Sequence, residues 1–261
     1  MNRSGKIHTR VLAENPWIRE FHKNVDRFAG FSPWNVYTDF LQLAMCAFLS
    51  DRTPEHPREK LYLQILGKYK SSPGAPERFA EMLACVMMYM RETGLECLSE
   101  LWEEYAANEQ LGQFFTPWSV CRFMTEFDLH NIDWEKFSPD RPCGISDPAC
   151  GGGRLLVAAL KTVPRGKLGS VFCHGIDIDR HVCNVAALNM LFFNANSYIV
   201  HGNALTMEVW NVFRTEHHFL GGRIVEITDP EEQKKIMEIG CQTVEKTKPA
   251  EPQKLCQMEL F

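Results

Sequence analysis

The chain has 261 residues, 45% of them hydrophobic and 17 of them Phe, which is enough to bury the core of one large domain or two small ones. Its 28 Lys and Arg are outweighed by 33 Asp and Glu, a formal net charge of -5, and this excludes a global positive field of the kind that coats nucleic acid. Any nucleic-acid contact is then local or supplied by a partner. Ten cysteines are present, but none form the close Cys-x-x-Cys pairs of zinc sites, so free thiols in a reducing cytoplasm are expected and no metal. No run reaches the roughly 18 apolar residues of a membrane span, and the first residues lack the apolar core of a secretion signal. The expectation is a cytoplasmic protein with no membrane contact.

In chain order, residues 15 to about 108 read as helices. "NPWIREFHKNVDRFAG" offers Asn15 as a cap, Pro16 at the first helical position and Gly30 as a stop. "SPWNVYTDFLQLAMCAFLS" repeats the device with Ser32 and Pro33, and "DRTPEHPREK" reads as a connector. A short segment "LYLQILGKY", a loop at "SSPGAPE", a long helix closed by Gly94 and the amphipathic "LECLSELWEEYAAN" follow. The Met87, Met88, Met90 cluster reads as core filler.

After Gln113 strands and helices alternate. "TPWSVCRFMTEF" begins a helix with Thr116 as its expected cap. "CGISDPAC" is a strand entering a glycine turn, "RLLVAALKTV" a helix, "GSVFCHGIDID" a strand, "RHVCNVAALNMLFFNA" a helix and "SYIVHGNAL" a third strand. That order is half of a doubly wound α/β sheet. Beyond Thr206 the pattern weakens: "RIVEI" suggests one more strand, "PEEQKKIMEIGCQ" a short helix, and "TVEKTKPAEPQK" disorder.

A glycine-rich turn between a strand and a helix lets backbone approach a ligand and aims helix N-terminal amides at it. Asp177, in the next strand, stands where ribose hydroxyls are captured in such sheets. With Asp147 before the turn, two carboxylates bracket the site. They would repel a pyrophosphate yet accept bonds from an amino group, so a cationic, phosphate-free nucleoside fits, and S-adenosylmethionine is one.

"DPACGGGRLL", "GIDID" and "HGNAL" resemble the cofactor-binding motifs of DNA adenine N-6 methyltransferases, most of all the modification subunits of type I restriction systems. "LGQFFTP" (111–117) resembles the segment that family places over the methionine end of its cofactor. The resemblance implies an N-terminal helical domain (1–110), a methyltransferase-like cofactor-binding domain (111–240) and a flexible tail (241–261). In fold terms this is an α/β protein with a helical bundle followed by a truncated Rossmann-like S-adenosylmethionine-dependent methyltransferase sheet. It also implies roles: Phe115 and Thr116 at the methionine portion, Asp147 at its amino group, and Cys150, Gly151 and Gly153 as the wall of the turn. Asp177 would take the ribose hydroxyls, Ile178 the adenine face and Asn203 the exocyclic amine. Asp179 reads as a helix cap, His174 and His201 as structural, and Arg154 and Arg180 equally well as surface charges or ligand contacts.

The family's fourth strand ends in an Asn/Asp-Pro-Pro-Tyr/Phe loop that grips a flipped base, and this sequence contains no Pro-Pro. "NVF" (211–213) keeps the Asn and Phe without the prolines, and Trp210 and Phe213 read as packing residues. The expected function is an S-adenosylmethionine-binding protein of this family, acting on DNA directly or through a partner chain in restriction-modification or mobile-element biology. The missing loop calls its own catalysis into question, leaves the catalytic residues unknown, and sets beside this reading a catalytically silent regulatory, decoy or adaptor relative. The terminal "QMELF" resembles the peptide that replication proteins insert into the sliding clamp, with Met258, Leu260 and Phe261 as apolar anchors and Gln257 as a polar latch.

Overall fold

The computed structural model describes residues 14–49, 56–106, 115–218 and 221–245, with side chains described to residue 240. The "QMELF" motif and residues 111–114 of "LGQFFTP" lie outside the described residues.

Helix α1 (Pro16–Asp26) starts as the sequence predicts: Asn15 Oδ1 accepts the Trp17 N–H at 2.9 Å, and Pro16, whose missing N–H costs nothing there, takes the first position. It ends at Asp26, before Gly30, which turns the chain at φ +84°. Helix α2 (Pro33–Phe48) is capped by Ser32. Helix α3 (Pro57–Lys68) begins inside the expected connector, because His56 Nδ1 caps the Arg58 N–H at 3.1 Å. Helix α4 (Ala75–Thr93) closes on Gly94 at φ +66°, and α5 (Leu98–Ala106) follows. Of the methionine cluster only Met90 is fully buried, and Met87 faces solvent, since residues at 100° steps cannot all meet one core.

After α6 (Trp118–Leu129) comes a five-stranded sheet in linear order, β1 (Cys143–Asp147), β2 (Val171–Asp177), β3 (Asn196–Asn203), β4 (Glu208–Glu216) and β5 (Arg223–Ile227). The first three strands are parallel, joined by α7 (Arg154–Thr162) and α8 (Arg180–Phe192), while β4 and β5 run antiparallel beyond β3. The fold is the expected α/β one, a helical bundle followed by a truncated Rossmann-like sheet, and β1 forms one edge of that sheet. The "RIVEI" strand forms as read, and the helix after it, α9 (Pro230–Glu245), runs three residues beyond the expected segment, into the "TVE" read as disordered.

Strand β4 is the element the sequence concealed. Val212 packs under α9 with Ile176, Val200, Ile227, Ile236 and Met237, while its neighbour Phe213 enters the main core on the opposite face. With both faces covered, the alternation that announces a strand is lost. The "NVF" triplet therefore lies in mid-strand. Asn211 Nδ2 donates to Glu226 Oε1 at 2.8 Å, and Arg58 grips the same carboxylate at 2.7 and 2.8 Å. Phe213 is a packing residue, as read, but Trp210 is half-exposed against the His201 ring.

Helix α8 is buried from Val182 to Leu191, and a helix apolar all round must be covered all round. One side of it meets the sheet and the other meets the bundle through Trp102 stacked on His181 and Phe48 against Phe192. Bundle and sheet thus share a single apolar core running from Ile18 to Ile224. No disulfide joins the eight cysteines whose side chains are described, and all eight are buried. No helix among the described residues is long and apolar enough to cross a membrane. His174 is structural, as read: its Nε2 meets the Ile236 carbonyl at 3.0 Å, and burial lowers its pKa to about 4, so it is neutral at pH 7.

Candidate functional site

The turn after β1 requires its glycines for three separate reasons. Gly151 and Gly153 lie at φ +52° and +78°, in left-handed space. A Cβ on Gly151 would sit 2.8 Å from the Phe115 ring, and one on Gly152 would overlap the Ser99 hydroxyl. The Cys150 N–H donates to the Ile176 carbonyl at 2.9 Å, stitching the turn to β2, and Gly175 leaves room for the Cys150 thiol. Burial pushes that thiol well above its usual range, so it is an inert wall rather than a nucleophile.

Asp177 ends β2 and spans the turn. One of its oxygens accepts the Gly151 N–H and the other the Asp179 N–H, both at 2.9 Å. Asp179 caps α8 through the His181 and Val182 amides at 2.8 and 3.1 Å, as read. Asp147 ends β1, with Oδ1 accepting the Ala149 N–H at 3.1 Å. Between the two carboxylates and Phe115 opens a cleft of about 330 Å3, within the range of small-molecule sites. It lies where ligands enter open α/β sheets, at the carboxyl ends of parallel strands.

The structure gathers Phe115, Thr116, Asp147, Cys150, Gly151 and Asp177 around this cleft, with Gly153 just behind it as the α7 cap. Thr116 does not cap α6, because the N-cap is Pro117 and no side chain bonds there. Ile178 lies outside the lining, an exposed side chain directly after β2. Asn203 departs from its expected role. It is not in the lining, and its Oδ1 accepts the Leu205 and Thr206 amides at 2.9 and 3.3 Å to shape the β3–β4 turn. With both lone pairs engaged, that oxygen has none for an adenine amine.

Sequence reasoning missed Met124, Ala149, Leu155 and Val182 in the lining, although Ala149 lies just before the glycines, Leu155 two residues after them, and Val182 in the first turn of α8. Of the two readings left open for Arg154, the structure excludes a surface charge, for the residue is 5% exposed and lies in the lining of the cleft. Its Nε binds Glu96 at 2.7 Å, a second nitrogen lies 3.8 Å from Glu100, and a third donates to the Thr116 carbonyl at 3.3 Å. At the cleft wall one guanidinium therefore meets Glu96, Glu100 and the electrostatic reach of Glu103, and Asp147 and Asp177 line the same cleft. The excess of carboxylates favours a cation in the cleft.

Burial, with the neighbouring Asp177 charge adding to it, raises the Asp147 pKa above the usual carboxylate value. The sign follows from linkage: a raised acid is favoured protonated in the fold, so its stabilising share is complete below the unfolded pKa of about 3.9 and is lost as pH climbs through the folded value. At pH 7 the ionised group costs stability. Asp147→Asn, which keeps the acceptor for Ala149, is expected to melt higher than wild type at pH 7, with the difference vanishing near pH 3. Equal melting temperatures at pH 7 would refute the strain on this carboxylate.

These features define a class first: a Rossmann-like half-sheet with a glycine-turn ligand site bracketed by two acids. Residues 98–220, just under half of the chain, match the sequence model of the N-6 DNA methylase family, and the chain is a relative of that family. It is also 27% identical over 107 residues to the methylase subunit of the type I restriction enzyme MpnII of Mycoplasma pneumoniae. That stretch covers 40% of this chain and 18% of the subunit's length, so the chain corresponds to a small part of that relative. No solved structure matches.

Proposed function

We propose that the cleft binds S-adenosylmethionine and that the chain serves DNA-adenine methylation in a restriction-modification setting as a cofactor-holding protein that does not transfer the methyl group alone. The observation carrying this reading is the convergence of Asp147, Asp177 and Phe115 on a glycine turn in a cleft lined by these two acids, with the Arg154 charge engaged by Glu96 and Glu100. A sulfonium ligand with an ammonium group and a ribose matches that surface. The Asp147 carboxylate would accept from the amino group, Asp177 from the ribose hydroxyls, and Phe115 and Thr116 would enclose the methionine end. Ile178, exposed beside Asp177, would pack on the adenine.

A second reading, a silent relative acting as regulator, decoy or adaptor, is favoured by one observation. Asn211 and Phe213, the residues that echo the base-gripping loop, are built into mid-β4 and engaged with Glu226 and the core. In the first reading DNA contact and the grip on the target amine come from a partner chain. Calorimetric titration with S-adenosylmethionine, followed by transfer of a labelled methyl group to unmethylated DNA, tests both. Expected are saturable binding and no incorporation by the chain alone. No binding would sink the cofactor reading, whereas incorporation would sink the claim that the chain is silent by itself.

A further inference from the structure

Helix α5 and the turn before it stand outside the cleft, yet two of their carboxylates connect to Phe115 and to the glycine turn. Glu103 Oε1 accepts the Phe115 N–H at 2.7 Å, and the Phe115 ring lies directly over Gly151. Glu96, 2% exposed, holds the Asn189 amide at 3.3 Å, and the same amide donates to the Gly152 carbonyl at 2.8 Å. A carboxylate buried that deeply persists only with its hydrogen bonds filled, so these atoms fix one another in place.

We infer that Glu103 is a positioning residue of the cleft, holding Phe115 against the glycine turn, and that Glu96 acting through Asn189 anchors the far side of the same turn. The helical region thereby sets the shape of a site whose ligand contacts lie on the α/β region. Two independent chains of bonds support this, and both start in one short stretch of the bundle, residues 96–103. The Glu103 bond is a charge-assisted one to a backbone amide, short and directional. Beside it, α5 reaches the start of the α6 segment through Glu100 and Arg154, whose guanidinium donates to the Thr116 carbonyl, but the Glu103 bond is the one that holds Phe115 itself. The identity of the ligand rests on the cofactor reading above, while the clamp itself does not.

The test uses the full chain as wild type, Glu103→Leu and Glu103→Gln. Amide hydrogen exchange in the ligand-free protein is read over residues 115–121 and 150–156. In Glu103→Leu both segments are expected to exchange about tenfold faster, a factor in keeping with one lost charge-assisted bond, while α4 is unchanged. Glu103→Gln, whose side-chain oxygen still accepts, recovers most of the protection. Calorimetry then compares S-adenosylmethionine with adenosine, which lacks the end enclosed by Phe115. Glu103→Leu is expected to weaken the first by about tenfold and the second by no more than about twofold. Unchanged exchange overturns the clamp, and equal weakening of both ligands overturns its placement of Phe115. If wild type binds neither compound, the cofactor reading fails and the exchange comparison alone decides the clamp.

Discussion

Arg154→Met is expected to cost about 3–5 kcal/mol of folding stability, the usual penalty for leaving a buried charge without its partner. Arg154 and Glu96 are 6% and 1% exposed in their side chains, and 2.7 Å separates them. Methionine fills the volume of the arginine stem but leaves the Glu96 carboxylate in a dry interior with only the Ser99 and Asn189 donors. The Thr116 carbonyl also loses its guanidinium donor and keeps only the weak Cys121 thiol. Urea unfolding should show the loss as a lower midpoint with the slope kept, and a thermal melt should fall by about 2–4 °C per kcal/mol for a chain of this size. Arg154→Met combined with Glu96→Leu should recover part of the loss, because the double change removes the orphaned charge. A single-variant cost under about 1 kcal/mol would mean that the pair is hydrated and the burial argument wrong.

Asp177→Ala is expected to weaken S-adenosylmethionine binding by about 100-fold or more and to cost about 1–3 kcal/mol of stability. One carboxylate performs two tasks here. Toward the protein it accepts from the Gly151 and Asp179 amides, which holds the glycine turn against β2 and presets the first turn of α8. Toward the cleft its remaining lone pairs are the acceptors that the proposed reading assigns to a ribose diol. Asp177→Asn is the milder change: one oxygen keeps an amide bond while the NH2 faces the other N–H, so stability falls by less than in Asp177→Ala, and the charge and one acceptor are gone. Affinity in Asp177→Asn should fall nearly as far as in Asp177→Ala. Full affinity in either variant, by calorimetry, would remove Asp177 from the site. With Asp147→Asn gaining stability and these variants losing it, the two acids are expected to differ in sign, which a generic loss of negative charge would not produce.

Much of the site could be read from local chemistry. Gly151 and Gly153 adopt backbone angles that other residues avoid, Asp177 closes a strand whose register with β1 places it just beyond Asp147, and Asp179 is a cap by its position before an apolar helix. Each depends on neighbours within a few residues, or on a strand–turn–helix geometry with few alternatives. Asn203 misled because the same residue type in a strand end serves equally as a ligand contact or as a turn former. Only the packing of the β3–β4 hairpin, with its register shift at His201/Gly202, decides for the turn. Arg154 is ambiguous in the sequence for a related reason: an arginine at the start of a helix is ordinarily solvated, and what buries it is a helix about fifty residues earlier.

By itself, then, the sequence determined the helix starts at Pro16 and Pro33, the alternating strands and helices after Gln113, the glycine turn and its two acids. All of these follow from backbone preference and periodicity, which act over short separations. The tertiary structure alone decided that β4 is a strand with both faces covered, that β1 lies at the sheet's edge, and that Glu96 and Glu103 reach the cleft from the bundle. These depend on which apolar faces meet and on hydrogen bonds between residues as far apart as Glu96 and Asn189, and no local pattern encodes such pairings.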